Sequence, residues 1–239
     1  MKFVYAEALA EGLLVIGLLI YGTRQIRMAN AATPSVRAAD ARFLALGDSY
    51  TIGERVGDNE RWPVQLAARL RDAGVQVTDP EIIATTGWTT AELKAGIAAR
   101  EPKGPYDLVT LLIGVNNQYR GRSSAEYRGD FKGLLAQAIG FAGREAARVV
   151  VVSIPDWGVT PFAAGKDHAA IGAAIDVFNA IGREEATAAG AAFVDITPTS
   201  RERHDAWEAG DGLHPSGAQY TAWTRLILPA AQRALSRRP

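Results

Sequence analysis

The chain contains no cysteine among its 239 residues and has no net charge, with 26 basic and 26 acidic side chains. Without cysteine there can be no disulfide, no thiol nucleophile and no cysteine-ligated zinc, although this lack is compatible with a reducing or an oxidising compartment. A balanced charge creates no overall field that would attract nucleic acid or an anionic membrane surface. We therefore do not expect nucleic acid as a partner.

The sequence also lacks a clean apolar run long enough to cross a bilayer. The uncharged run from Gly12 to Gly22 has the length of a signal-peptide core, whereas a spanning helix needs about 20 residues. Extending the run back to Phe3 reaches spanning length, but it then includes Glu7 and Glu11, which are costly in hydrocarbon. The run therefore favours a signal peptide or a membrane anchor, and its length does not distinguish between these two kinds of segment.

The residues that flank this run give conflicting signals. Ala29-Asn30-Ala31 offers a small-x-small cleavage site, whereas Arg24 and Arg27 follow the apolar run, which argues against export. We expect residues 1–40 to be a signal or anchor-like segment with a linker, which would place the protein outside the cytoplasm or on a membrane. The alternative, with a cytoplasmic location left open, is a helix that packs on its own domain, on a partner or on a membrane surface.

From residue 41 onward, short apolar runs alternate with segments of helical pattern. Such alternation is typical of βαβ units, and it predicts one domain over residues 41–236, an α/β fold in which a three-layer α/β/α sandwich encloses a five-stranded parallel sheet. The predicted strands are Phe43–Leu46, Glu81–Ala84, Leu108–Ile113, Arg148–Ile154 and Ala192–Asp195. The predicted helices are Trp62–Ala73, Thr89–Ala99, Ser124–Ala142, Ala169–Ala189 and Pro215–Leu235.

The first predicted strand leads directly to a serine. Phe43–Leu46 has no polar residue, as expected of a strand covered on both faces, and Gly47 and Asp48 then turn the chain before Ser49. Ligands of open parallel α/β sheets bind just beyond the carboxyl ends of the strands. Ser49 is therefore predicted to be a nucleophile at this edge.

A serine hydroxyl needs a base within hydrogen-bonding reach, and that base needs a third group to orient it. Of the three histidines, His168 and His204 lie in charged surroundings typical of the protein surface. His214 lies in a loop rich in turn-forming residues, and Asp211 precedes it by three positions. One tight turn can bring Asp211 onto the imidazole, so Ser49, His214 and Asp211 are predicted to be nucleophile, base and orienting acid.

These residues carry a family resemblance. Gly47-Asp48-Ser49 near the start of the domain and Asp211-x-x-His214 near its end resemble the first and last blocks of the GDSL, or SGNH, hydrolases. Two middle blocks, Ala84–Thr89 and Leu111–Gln118, stand in the expected order, so the resemblance covers about residues 41–235. It implies the flavodoxin-like fold of that family and a serine esterase or lipase-like activity.

The resemblance also implies an oxyanion hole. In the family a glycine after the second strand and an asparagine after the third donate hydrogen bonds to the oxyanion, and Gly87 and Asn116 occupy these places. Together with the backbone N–H of Ser49 they would form three donors around one oxygen. The sequence departs from the family pattern at Asn117, where the family usually has aspartate.

Two other functions are weighed against this interpretation. A metal-dependent hydrolase could use His204, Asp205, Asp211 and His214, but the two histidines do not have helical i, i+4 spacing and Ser49 would be unexplained. A non-catalytic binding module on the same fold would leave the serine, histidine and aspartate set without a purpose.

The sequence thus predicts a serine hydrolase that cleaves carboxylic esters carrying short-chain acyl or O-acetyl groups, through an acyl-enzyme. No cofactor or metal is expected. The expected partner is a small-molecule ester or an acylated carbohydrate or lipid, with membrane association through the N-terminal segment left open.

Overall fold

The computed structural model describes residues 40–202 and 206–236. Its five strands form one parallel sheet in the order β2-β1-β3-β4-β5, which is the flavodoxin-like order. The strands are β1 Phe43–Gly47, β2 Glu81–Ala84, β3 Leu108–Leu112, β4 Val149–Val152 and β5 Ala192–Val194. The predicted five-stranded parallel sheet is therefore confirmed, and every strand lies where the sequence predicts it.

The burial of the strands follows from their place in the sheet. Every residue of the inner strands β1, β3 and β4 is buried, whereas the edge strands β2 and β5 include partly exposed residues. The parallel register pairs Gly47 of β1 with Ala84 of β2 and with Leu112 of β3. The carboxyl ends of these three strands are therefore level, and the residues that follow them emerge at one edge.

Helices flank the sheet, with α2 packed on α8, and α5 packed on α3 and α6. The helices are α1 Ser49–Ile52, α2 Trp62–Asp72, α3 Thr90–Arg100, α4 Val115–Tyr119, α5 Ser124–Phe141, α6 His168–Ala189, α7 Thr197–Ser200 and α8 Gly217–Leu235. Short 3₁₀ helices span Asp58–Glu60, Ala146–Arg148, Trp157–Val159 and Pro161–Ala163. The predicted long helices are present with bounds that differ by one or two residues, whereas the short helices α1, α4 and α7 were not predicted.

The start of the last helix differs from the prediction that Pro215 is its first residue. Helix α8 begins at Gly217, and the Ser216 hydroxyl caps it by accepting a hydrogen bond from the backbone N–H of Gln219. Pro215 instead pairs with Glu208 in an isolated antiparallel bridge. This bridge closes the base of the loop that carries His214.

Among the residues that the structure describes, no helix combines the length and the apolar character that crossing a bilayer requires. The predicted signal or anchor-like segment spans residues 1–40, of which residues 1–39 lie outside the described part of the chain. Export or membrane anchoring through this segment stays a prediction.

Candidate active site

Ser49 is the first residue of α1, directly beyond the carboxyl end of β1. Asp48 caps this helix, because its Oδ1 accepts a hydrogen bond of 3.1 Å from the backbone N–H of Tyr50. The first N–H groups of a helix have no partner within the helix. The backbone N–H of Ser49 donates to no acceptor in the described part of the chain, so it is available to a ligand.

The Asp48 carboxyl itself is fully buried, and its Oδ2 has no hydrogen-bond partner among the described residues. Burial raises the pKa of this carboxyl to about 7, although hydrogen bonds from the backbone N–H groups of Tyr50 and of Asp48 itself favour the charged form. Asp48 therefore titrates near neutrality directly beside the serine. Nothing in the sequence pattern indicated this.

Asp211 and His214 are in direct contact, as predicted. Asp211 Oδ2 lies 2.6 Å from His214 Nδ1, and Oδ1 accepts hydrogen bonds of 3.0 Å from the backbone N–H groups of Leu213 and His214. Partial burial opposes the charge on Asp211, but the hydrogen bonds from His214 and Leu213 outweigh it and lower the pKa of this carboxyl. An ionised carboxylate only accepts, so Nδ1 carries a proton and Nε2 is the ring nitrogen left to act as a base.

The loop that carries this pair is held by its neighbours. Gly212 has φ +66°, which only glycine adopts easily, and a Cβ there would lie 3.1 Å from the Pro161 side chain. The Gly212 carbonyl accepts a hydrogen bond of 2.9 Å from the backbone N–H of Phe162. The Asp211–His214 turn is therefore fastened to the 3₁₀ segment that precedes α6.

Arg55 connects the Asp211 carboxylate to the loop after β2. Its Nε lies 3.6 Å from Asp211 Oδ2 and 3.6 Å from Glu54 Oε1, and Glu54 accepts a hydrogen bond of 2.5 Å from the Thr86 hydroxyl. Arg55 has φ +69°, a conformation that is strained for a residue other than glycine. The sequence carried no signal for this contact.

Gly87 and Asn116 both lie at the same sheet edge as Ser49. Gly87 has φ +85°, and its N–H donates to no acceptor in the described residues. The Asn116 side-chain nitrogen donates to the Trp88 carbonyl at 3.0 Å, which fixes the amide and leaves its second N–H for another acceptor. Asn116 is not a helix cap, because α4 begins at Val115 with Gly114 at the cap position.

Four of the five predicted site residues line one cavity of about 170 Å³: Ser49, Gly87, Asn116 and His214. Asp211 contacts His214 and is not part of the lining. The other lining residues are Tyr50, Thr86, Val115, Tyr119, Trp157, Phe162 and Leu213. The structure thus brings all five predicted residues together.

A larger groove of about 670 Å³ lies between α2 and β2, but its chemistry is less suited to a reaction. Two of the three arginines that line it, Arg61 and Arg71, are already paired with Asp58 at 2.6 Å and with Asp79 at 3.0 Å. The site is therefore assigned by its functional groups and not by its volume.

Three aromatic side chains form a rim at the mouth of the smaller cavity. The ring centroids of Tyr119, Trp157 and Phe162 lie 5.3 to 6.2 Å apart, and Tyr119 and Phe162 are 52% and 42% exposed. The Trp157 indole N–H donates to Gln118 at 2.8 Å. The sequence carries no signal for this rim, because no spacing rule links Tyr119, at the end of α4, to residues of the 3₁₀ helices that follow β4.

The proposed metal site is only partly covered by the structure. His204 and Asp205 lie outside the described residues, and Asp211 and His214 bond to each other. Within residues 40–202 and 206–236 no three potential metal ligands of the His, Cys, Asp or Glu type form a group.

Comparison with known proteins finds the same fold in several solved structures. The structure resembles that of TesA, with a TM-score of 0.65 and 20% sequence identity over 81% of this chain and 99% of that chain. It also resembles the lipase/acylhydrolase from Enterococcus faecalis, with a TM-score of 0.59 and 20% identity over 79% of this chain and 94% of that chain.

A third similar structure is that of a single-residue variant of Axe2, an acetyl xylan esterase from Geobacillus stearothermophilus, with a TM-score of 0.60 and 19% identity over 80% of this chain and 94% of that chain. Identities this low show the shared fold alone.

None of the curated proteins compared with the chain matches it significantly. The sequence model of the GDSL-like lipase/acylhydrolase family, however, matches residues 45–222, from strand β1 into helix α8. The chain therefore belongs to the GDSL-like lipase/acylhydrolase family, the SGNH hydrolases.

Proposed function

We propose that this protein is a serine esterase in which Ser49 is the nucleophile, His214 the general base and acid, and Asp211 the residue that orients the imidazole. The observation that carries the proposal is the 2.6 Å contact between Asp211 and His214, beside a cavity that Ser49 and His214 line together. A serine and an oriented histidine at one cavity are the groups that acyl transfer requires.

The reaction proceeds in two steps. Ser49 Oγ attacks the ester carbonyl carbon while His214 Nε2 takes the hydroxyl proton, and the carbonyl oxygen becomes an oxyanion facing the N–H groups of Ser49, Gly87 and Asn116. His214 then returns the proton to the departing alcohol, which leaves an acyl-serine. Water, activated by the same imidazole, attacks the acyl carbon and releases the carboxylic acid and free Ser49.

The dimensions of the cavity support an ester with a short acyl group. A cavity of about 170 Å³ lies below the roughly 300–1,000 Å³ usual for pockets that enclose a drug-sized ligand, so it encloses the reacting ester and few further atoms. The remainder of the substrate then lies over the exposed rings of Tyr119 and Phe162. O-acetyl groups on carbohydrates fit this description, and the similar Axe2 protein is an acetyl xylan esterase.

Activity of variants on p-nitrophenyl esters tests the proposal. Ser49→Ala, His214→Ala and the double mutant should each remain folded and lose activity by similar large factors, because the members of a triad act as a unit. Acetate and butyrate esters should be cleaved faster than long-chain esters. Substantial activity in Ser49→Ala, or activity that EDTA removes and zinc restores, would instead support a metal-dependent hydrolase.

A further inference from the structure

Arg120 reaches across from the end of α4 to the backbone of the oxyanion loop, which we define as residues 85–88. Its Nη2 donates a hydrogen bond of 2.6 Å to the Gly87 carbonyl, a residue 33 positions earlier in the chain. The side chain is 43% exposed, but its charged end is engaged with the backbone of the site.

A second contact restricts where the guanidinium can lie. Arg120 Nη1 is 3.3 Å from both carboxylate oxygens of Glu92. Glu92 is itself held, because it accepts hydrogen bonds of 2.7 and 2.8 Å from the backbone N–H and the hydroxyl of Thr89 at the start of α3. These hydrogen bonds from Thr89, together with Arg120, lower the pKa of the Glu92 carboxyl although partial burial opposes them. The arginine is therefore positioned by a group that is fixed to a helix terminus.

Arg120 lies one helical turn after Asn116 in the chain. The two side chains hold the carbonyl groups of consecutive residues, since Asn116 donates to the Trp88 carbonyl and Arg120 to the Gly87 carbonyl. Gly87 has no side chain and an unusual φ, so without these bonds its peptide groups could rotate readily. The Gly87 N–H belongs to the preceding Thr86–Gly87 peptide group, so a change in the φ and ψ angles of Gly87 would turn this N–H away from the oxyanion position.

We propose that Arg120 is a positioning residue that fixes Gly87 in the conformation required for the oxyanion hole. This inference rests on the proposed esterase function. Arg120 is not among the residues that line the cavity, so it acts through Gly87 and not by contact with the substrate. A small displacement of a transition-state donor affects the rate of the chemical step more than it affects substrate binding.

The test compares Arg120→Met and Arg120→Lys with Arg122→Met in the full chain. Arg122 is a matched control, because it lies two residues away, its side chain is 55% exposed, and among the described residues that side chain has no polar contact besides a 3.8 Å ion pair with Glu126. Arg120→Met should lower kcat roughly 10- to 100-fold with KM within about twofold, whereas Arg122→Met should match the wild type. Arg120→Lys keeps one charged donor and should recover part of the loss.

A boronic acid that forms a tetrahedral anion on the serine gives a readout that a merely structural role would not change. Its Ki should rise in Arg120→Met by about the factor lost in kcat, while the melting temperature changes little. Unchanged kcat in Arg120→Met, an effect on KM alone, or an equal effect in Arg122→Met would overturn the inference. If Ser49→Ala is inactive while Arg120→Met has full activity, the positioning role alone fails. If Ser49→Ala remains active, the esterase proposal fails, and the positioning role fails with it.

Discussion

The buried carboxyl of Asp48 predicts a dependence of stability on pH that one substitution should remove. Its pKa is raised from the ordinary 3.8 to about 7 by burial, so between these values the folded protein retains a proton that the unfolded chain has lost. The stabilisation is complete below about pH 3.8 and is lost as the pH rises through about 7. At 1.36 kcal/mol per pKa unit, the total change in the free energy of unfolding is about 4 kcal/mol.

Asp48→Asn cannot titrate, but its amide oxygen can still accept the hydrogen bond from Tyr50. Because the position of Oδ2 offers no partner, the amide nitrogen is unsatisfied and costs about 1–3 kcal/mol, equally at every pH. Absolute stability is therefore a poor measure of the effect. The difference between two pH values isolates it: from pH 5.0 to 6.5 the wild type should lose about 2 kcal/mol more than Asp48→Asn.

The assay is urea unfolding at the two pH values, followed by tryptophan fluorescence and circular dichroism. Asp79→Asn is a suitable control, because the Asp79 side chain is 84% exposed. It should show the pH dependence of the wild type. Equal changes in wild type and Asp48→Asn, within about 0.5 kcal/mol, would refute the reasoning, because Asp48 would then ionise in the folded state as it does in the unfolded chain.

Two further predictions concern the neighbouring asparagines. Asn116→Ala should lower kcat by roughly 10² to 10³ with little change in KM. Asn116→Asp should be at least as inactive and also less stable, since a carboxylate would face the Trp88 carbonyl and the oxyanion. Steady-state kinetics and melting temperatures test this, and an active, stable Asn116→Asp would remove this residue from the oxyanion hole. Asn117→Asp should keep activity within a few-fold but lose about 1–3 kcal/mol of stability. Asn117 donates to the Thr90 hydroxyl at 2.7 Å, and that hydroxyl donates its own proton to Asp130 at 2.8 Å. A carboxylate at position 117 would therefore face the hydroxyl oxygen with no proton between them. Chemical denaturation of Asn117→Asp with and without Asp130→Asn measures this, and no recovery in the double mutant would contradict the account.

The same contacts explain a departure from the family pattern that the sequence left open. Asn117 is buried, and it hydrogen-bonds both the backbone N–H and the hydroxyl of Thr90 at the start of α3. The carboxylate in this network is supplied by Asp130 of α5. Asn117 thus helps to join the segment after β3 to the start of α3, a structural role that needs an amide donor.

The sequence by itself predicted the sheet, the long helices and the five candidate residues that the structure brings to one place. Buried strands such as Phe43–Gly47 and Leu108–Leu112 are recognisable because continuous apolar runs bounded by turn residues have few other structures available. The carboxyl ends of parallel strands meet at one edge, so Ser49, Gly87 and Asn116 could be brought together by topology alone. The Asp211-x-x-His214 contact is local, since a single turn creates it.

The tertiary structure alone decided the contacts between separate segments. The aromatic rim joins Tyr119 to Trp157 and Phe162 from another loop, and Arg120 reaches Gly87 across 33 residues of sequence. The ionisation of Asp48 likewise depends on how completely its neighbours exclude water, which no pattern of residue types records. Hydrophobic periodicity determines which face of an element is buried, whereas these properties depend on distances of a few ångströms between side chains that the chain brings together only when it folds.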